Sequence, residues 1–220
     1  MDSAYFNLNF DITVATILCV IMRNNWSDKG HPNQDMAWHN YTILYTELLR
    51  NFKPKRIFEM GLGSNNPTIP SNMGPNGKPG ASLYGWSEYF PEAKVYGADI
   101  DYECLFSTEK IKTFYCDQTN PISIQKLWNQ YELLEGFDLI IDDGLHSLES
   151  GIIFFENSIH KLNIGGYYCI EDIRTNDLGF WEIQIVKWKA KYPNLKISSF
   201  GIINKLNKND NNMIIIRKLV

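Results

Sequence analysis

The sequence predicts an α/β sandwich: a mostly parallel, seven-stranded sheet with a C-terminal antiparallel hairpin and N-terminal helices. Three observations carry this reading. From residue 55 onward, short apolar runs alternate with stretches of helical length, the pattern of βα units. Several of these runs are apolar at consecutive positions, which suits strands covered on both faces. The last two runs are joined by the polar, Asn-rich segment 202–211, too short for a crossover helix and suited to a hairpin.

Taken in order, residues 1–54 read as a helical extension belonging to the same domain as 55–220. The leader MDSAYFNLNFD carries two Asp and no Lys or Arg, the wrong charge for a secretory segment. Ile12–Met22 is apolar but shorter than the ~20 residues a bilayer requires; core packing, covering a cofactor and a subunit contact are its three readings. The spacing of Met36, Trp38, Tyr41, Leu44, Tyr45, Leu48 and Leu49 predicts a helix over Asp35–Arg50, punctuated by Pro32 and Pro54. Candidate strands follow at 56–61, 94–100, 112–117, 137–143 and 167–173, and then at 195–201 and 212–218. Helices are expected over Ser82–Phe90, Ile122–Glu132, Ser147–Leu162 and Gly179–Lys191. Ser147 is a natural N-cap, and Gly165-Gly166 a natural stop before the next strand.

Composition narrows the function. With 220 residues, 44% apolar and 14% aromatic, the chain can bury one substantial core. A net charge of −4 offers no basic excess for a nucleic acid backbone. Cys19, Cys104, Cys116 and Cys169 are too dispersed for a zinc site or a disulfide framework. Buried thiols in a reducing, cytoplasmic setting follow, with neither membrane nor nucleic acid as partner.

The first strand ends in Glu59-Met60-Gly61-Leu62-Gly63. Glycines there permit a tight turn and bring backbone N–H groups near a ligand at the carboxyl end of the strand. The third glycine of a dinucleotide fingerprint is replaced by Asn66, and the proline-rich insert Ser64–Pro79 intervenes. Asp99 lies 38 positions after Gly61; without the 16-residue insert that spacing is 22, close to the ~20 of a ribose-binding carboxylate. Asp101 competes for that role. Asp117 and Gln118, at the end of the third strand, can reach an adenine amino group, although Asp117 also suits a turn before Asn120-Pro121. Glu59, Asp99 and Asp117 at successive strand ends favour an adenosine ligand without a diphosphate, S-adenosylmethionine rather than NAD. No Tyr-x-x-x-Lys pair supports an NAD-dependent oxidoreductase.

The fourth and fifth strands end in Ile141-Asp142-Asp143-Gly144-Leu145-His146 and Ile170-Glu171-Asp172. Each Asp alone suits a cap or turn. Together they predict four carboxylates converging on one rim, where a divalent, oxygen-preferring cation such as Mg²⁺ or Mn²⁺ relieves their repulsion. His146, with an ordinary pKa of ~6.5, is a candidate general base.

The run ASLYGWSEYFPEAKVYGADID, followed by DQT, IIDDGLH and GGYYCIEDI, resembles the metal-dependent sugar O-methyltransferases of the macrocin and mycinamicin type. The resemblance spans roughly Ser27–Asp172 and includes Ser27-Asp28-Lys29 and His39-Asn40-Tyr41. It implies a Rossmann-like class I methyltransferase fold, with Asp143, Glu171 and Asp172 on the metal and His146 as the base. Asp142 joins the cofactor-binding set. Leu145 stands where these enzymes often carry Ser, and the insert resembles relatives encoded with bacterial surface-polysaccharide genes. The expected partner is a small molecule, a sugar or nucleotide-sugar; a phosphoramidate, an amine or another small acceptor is the alternative, and a homo-oligomer stays open.

Overall fold

The computed structural model describes residues 12–31, 33 and 36–220. The leader expectation, and Pro32 and Asp35 as a helix start, lie outside the described residues. Seven strands, β1 (Arg56–Met60), β2 (Lys94–Asp99), β3 (Ile111–Tyr115), β4 (Phe137–Asp142), β5 (Leu162–Ile173), β6 (Leu195–Gly201) and β7 (Asn212–Lys218), form one sheet in the order β3-β2-β1-β4-β5-β7-β6. All neighbours are parallel except β7, which pairs antiparallel with both β5 and β6. The predicted hairpin is therefore present, with its second strand inserted beside β5.

Among the described residues, six α-helices cover the sheet: α1 (Ile12–Asn24), α2 (Tyr41–Leu49), α3 (Ala81–Tyr89), α4 (Pro121–Trp128), α5 (Leu148–Ser158) and α6 (Leu178–Lys191). Because side chains alternate across a strand, each strand feeds two cores. Ile57, Leu139, Ile141 and Cys169 pack with Leu18, Tyr45 and Trp86 on the α1–α2–α3 side. Phe58, Met60, Ile140 and Ile170 pack with Trp128, Phe154 and Trp188 on the α4–α5–α6 side. Burying one such side chain contributes about 1.5–3 kcal/mol. In α1, Leu18, Cys19 and Met22 are buried, as the packing reading of Ile12–Met22 requires, whereas Ile17 and Val20 are exposed.

Several boundaries differ from the sequence expectation. The helix predicted from Asp35 begins only at Tyr41, and Met36 and Trp38 are exposed. Tertiary bonds override the local periodicity there: the Asn40 N–H donates to Asn211 Oδ1 at 3.2 Å, and its side-chain oxygen accepts from Asn204. Helices α4 and α5 end at Trp128 and Ser158, and each expected tail closes into a short 3₁₀ turn. Strand β5 begins at Leu162, so Gly165-Gly166 lies within it rather than before it. Ser147 caps α5 as predicted, its hydroxyl accepting from the Ser150 N–H at 3.1 Å. No helix among the described residues is long and apolar enough to cross a membrane.

Candidate functional site

The strand order reverses between β1 and β4, whose carboxyl ends border one crevice, the usual ligand position in an open α/β sheet. On the β1 side, Gly61 and Gly63 have φ of +94° and +77°. A β-carbon on Gly61 would lie 1.9 Å from the Asp143 carbonyl oxygen, so only glycine lets the two loops pass. Gly63 lies against Met73 of the insert, whose Ser71 hydroxyl donates to the Leu145 carbonyl at 3.2 Å. The insert thus bridges the loops after β1 and β4.

Three acids of this half, Asp99, Asp101 and Asp117, brace backbone. Asp99 accepts from the Leu62 N–H at 2.7 Å and the Asp101 N–H at 2.9 Å. Asp101 accepts from the Glu103 N–H at 3.0 Å and from the Ser64 hydroxyl. Both are buried, and both remain beside the glycine turn. Asp117 accepts from the Thr119 N–H and hydroxyl, the turn geometry that competed with its adenine reading. Gln118 is buried and joins two strand ends: its Nε2 donates to Asp142 Oδ1 at 2.5 Å, and its Oε1 accepts from the Leu145 N–H at 2.9 Å.

Strand parity sends the remaining acids to different layers. Glu59 and Glu171 share their faces with Ile57 and Cys169 and point toward α1–α2–α3; Asp142 shares the face of Ile140 and points toward α5. Glu59 is fully enclosed, accepting from Ser82 and from Trp86 Nε1 at 2.8 Å. Glu171 accepts from the Tyr45 hydroxyl and from Lys29. Lys29, only 1% exposed, also donates to Asp143 Oδ2 at 2.7 Å and lies 3.4 Å from Glu59.

Asp143, His146 and Asp172 form the cluster with metal-binding geometry: one ligand atom from each lies within 4.8 Å of the others. His146 Nε2 is 3.2 Å from Asp143 Oδ1, and its Nδ1 is 3.5 Å from Asp172 Oδ2. Glu171, expected as a third ligand, is outside this group because Lys29 and Tyr45 hold its oxygens on the α1–α2–α3 side. His146 and Asp172 have φ of +57° and +54°, two of the four positive-φ non-glycine residues among those described. Such backbone costs about 1–3 kcal/mol and concentrates at functional sites.

Charge in the cluster is partly balanced by the chain itself. Burial opposes a charged Lys29, but Asp143, Glu171 and Glu59 raise its pKa well above the usual value. Burial likewise works against ionised Asp143, yet Lys29 and His146 hold its carboxyl well below the ordinary range. Burial alone would lower His146; the carboxylates of Asp143 and Asp172 beside it instead hold it at about 10. Burial pushes Asp172 up to about 6 and Asp142 up to about 7. The His146 Nε2 and Asp142 Oδ2 atoms are buried without a hydrogen-bond partner. The two hard carboxylates of Asp143 and Asp172, converging beside His146, fit a divalent ion of the magnesium type.

Lys29 and Tyr45 are the residues that motif reading undervalued. Lys29 stood out only through its Ser-Asp-Lys context, and Tyr45 looked like helix core. The available signal was the parity of Glu171, which aims that carboxylate at the N-terminal layer and calls for a donor there.

No protein-family model matches the chain. It is 26% identical over 176 residues to the 8-demethyl-8-α-L-rhamnosyl tetracenomycin-C 2′-O-methyltransferase of Streptomyces olivaceus, covering 80% of this chain and 42% of that protein. It is 30% identical over 140 residues to the demethylmacrocin O-methyltransferase of Streptomyces fradiae, covering 62% of this chain and 32% of that one. The chain thus spans well under half the length of these relatives. Among solved structures, the mycinamycin-pathway methyltransferase MycE in complex with Mg and SAH superposes with a TM-score of 0.68 at 21% identity, over 92% of this chain and 54% of that one. The relatives it matches are named as O-methyltransferases of tetracenomycin, macrocin and mycinamicin compounds, and its fold is shared with the mycinamycin-pathway methyltransferase MycE.

Proposed function

We propose that this chain carries an S-adenosylmethionine-dependent, divalent-metal-dependent O-methyltransferase activity toward a sugar hydroxyl. The acceptor we favour is a nucleotide-activated sugar of bacterial surface-polysaccharide or natural-product biosynthesis. The observation that carries this reading is the convergence of Asp143, His146 and Asp172 on the rim that also holds the Gly61–Gly63 turn. The relatives named for methylating sugar hydroxyls support the acceptor class.

When bound, S-adenosylmethionine supplies the methyl group, and Mg²⁺ or Mn²⁺ supplies positive charge that favours ionisation of the acceptor hydroxyl. Asp143 and Asp172 would hold the ion, with Glu171 the third acid at the same strand end. The Gly61–Gly63 turn admits the cofactor close to backbone, with Asp99 or Asp101 as ribose acceptor and Gln118 in the adenine region. His146 takes the hydroxyl proton as the acceptor oxygen attacks. Asp143 Oδ1 and Asp172 Oδ2, 3.2 Å and 3.5 Å from its ring nitrogens, orient the imidazole and would stabilise it once it carries that proton.

His146→Ala is expected to reduce turnover about 10²–10⁴-fold while S-adenosylhomocysteine affinity stays within a factor of two. Wild-type turnover in that variant removes the base assignment. Mass detection of methylated product across nucleotide-sugars, free sugars and small phosphorylated acceptors decides the acceptor class.

A further inference from the structure

The two aspartates of the cluster are held in the same way. Asp143 gives its Oδ2 to the Lys29 ammonium at 2.7 Å and keeps Oδ1 toward His146. Asp172 gives its Oδ1 to the Tyr41 hydroxyl at 2.7 Å and keeps Oδ2 toward His146. The Tyr41 oxygen also accepts from the Asp172 N–H at 3.1 Å, which pins the strained backbone of that residue. His39 stacks on Tyr41 at 4.8 Å with Nδ1 3.4 Å from Asp172 Oδ1, so the tyrosine ring is itself fixed. Lys29 is anchored in turn by Glu171, and Glu171 by the Tyr45 hydroxyl. All these donors precede the sheet in the chain, more than 100 residues before the aspartates they hold.

We propose that Lys29 and Tyr41 are positioning residues of the metal centre: each binds the outer oxygen of one aspartate and leaves the inner oxygen facing the ion and His146. Tyr45 acts one link further out, through Glu171 and Lys29. This rests on the metal-dependent reading above and adds to it the residues that set ion affinity. Carboxylate ligands need such outer partners to fix their orientation, and losing one typically costs ~10–100-fold in metal affinity.

The test is a Mn²⁺ titration of wild type, Tyr41→Phe and Tyr45→Phe, following free Mn²⁺ by electron paramagnetic resonance, with S-adenosylhomocysteine affinity measured on the same samples. Tyr41→Phe removes one hydroxyl and no charge; a Mn²⁺ affinity at least about 10-fold weaker is expected, with cofactor affinity within a factor of two. Tyr45→Phe is expected to weaken Mn²⁺ measurably but less than Tyr41→Phe does, because its effect passes through Glu171 and Lys29. Unchanged Mn²⁺ affinity in Tyr41→Phe overturns the proposal, as does an unchanged Tyr45→Phe should the first variant not fold. Parallel loss of Mn²⁺ and cofactor affinity also overturns it, since that marks general disorder of the site. If the wild type itself binds no Mn²⁺, the metal-dependent reading fails and takes this proposal with it.

Discussion

Apart from Glu59, which shares Lys29 with Glu171, the two halves of the strand-end rim hold their acids by different means. On the β1–β2–β3 side, Asp99, Asp101 and Asp117 accept mainly from backbone N–H groups, several of them only two residues away, and so shape loops. On the β4–β5 side, Asp143, Glu171 and Asp172 are held by a lysine and two tyrosines from a distant segment. A carboxylate that braces its own loop keeps its place through local geometry. One held by remote side chains depends on the whole sandwich being assembled, and its ionisation depends on charges supplied from elsewhere. The contrast explains why the first half carries recognisable turn motifs, whereas the second needs a tertiary scaffold before its chemistry is defined.

The sharpest way to break the contrast is Lys29→Met. It leaves buried Glu59 and Glu171, with Asp143, without their shared cation, and stripping one partner from a buried ion pair costs about 3–5 kcal/mol. Urea denaturation at pH 7 reads this directly; a loss under 1 kcal/mol would mean that the cluster is not held from outside. Asp142→Asn comes next. In the folded protein Asp142 ionises near 7 because of burial, against ~3.9 in the unfolded chain. The native state therefore binds the extra proton between those values, and this group makes stability fall as pH rises from about 4 through 7. The asparagine variant is expected to lose that slope and to be more stable at pH 8 by on the order of 4 kcal/mol, measured by denaturation in chelator at several pH values.

A smaller effect is expected in the loop-bracing half. Asp99→Ala leaves the Leu62 N–H without its acceptor, a loss of about 1–3 kcal/mol, together with weaker S-adenosylhomocysteine binding by calorimetry. Retained cofactor affinity there would separate loop bracing from ligand binding. The smallest shift concerns metal removal. Lys29 and His146 already offset part of the acidic charge, so chelation is expected to abolish turnover while lowering Tm by less than about 2 °C. A large thermal loss would show that the resident cations do not suffice.

The alternation of apolar runs was enough to predict every strand and the terminal hairpin, because a strand covered on both faces has a distinctive composition. The glycine turn and the Asp-Asp-Gly-x-His and Glu-Asp sequences marked the rim for a similar reason: conformational freedom and charge at a strand end are visible residue by residue. Helix ends were read less well. The predicted helix does not extend over 36–40, because Asn40 bonds to Asn204 and Asn211, partners that local periodicity does not register.

The sequence by itself determined the sheet, its order of elements and the set of acids delivered to one edge, since these follow from local preference and strand period. Only the tertiary structure decided which acids meet. Parity sent Glu171 to Lys29 and Tyr45 and turned Asp142 to the opposite layer, while a left-handed kink brought Asp172 beside His146. The reason is that ionisation and ligand geometry depend on distances between segments more than 100 residues apart, and those distances exist only once both faces of the sheet are packed.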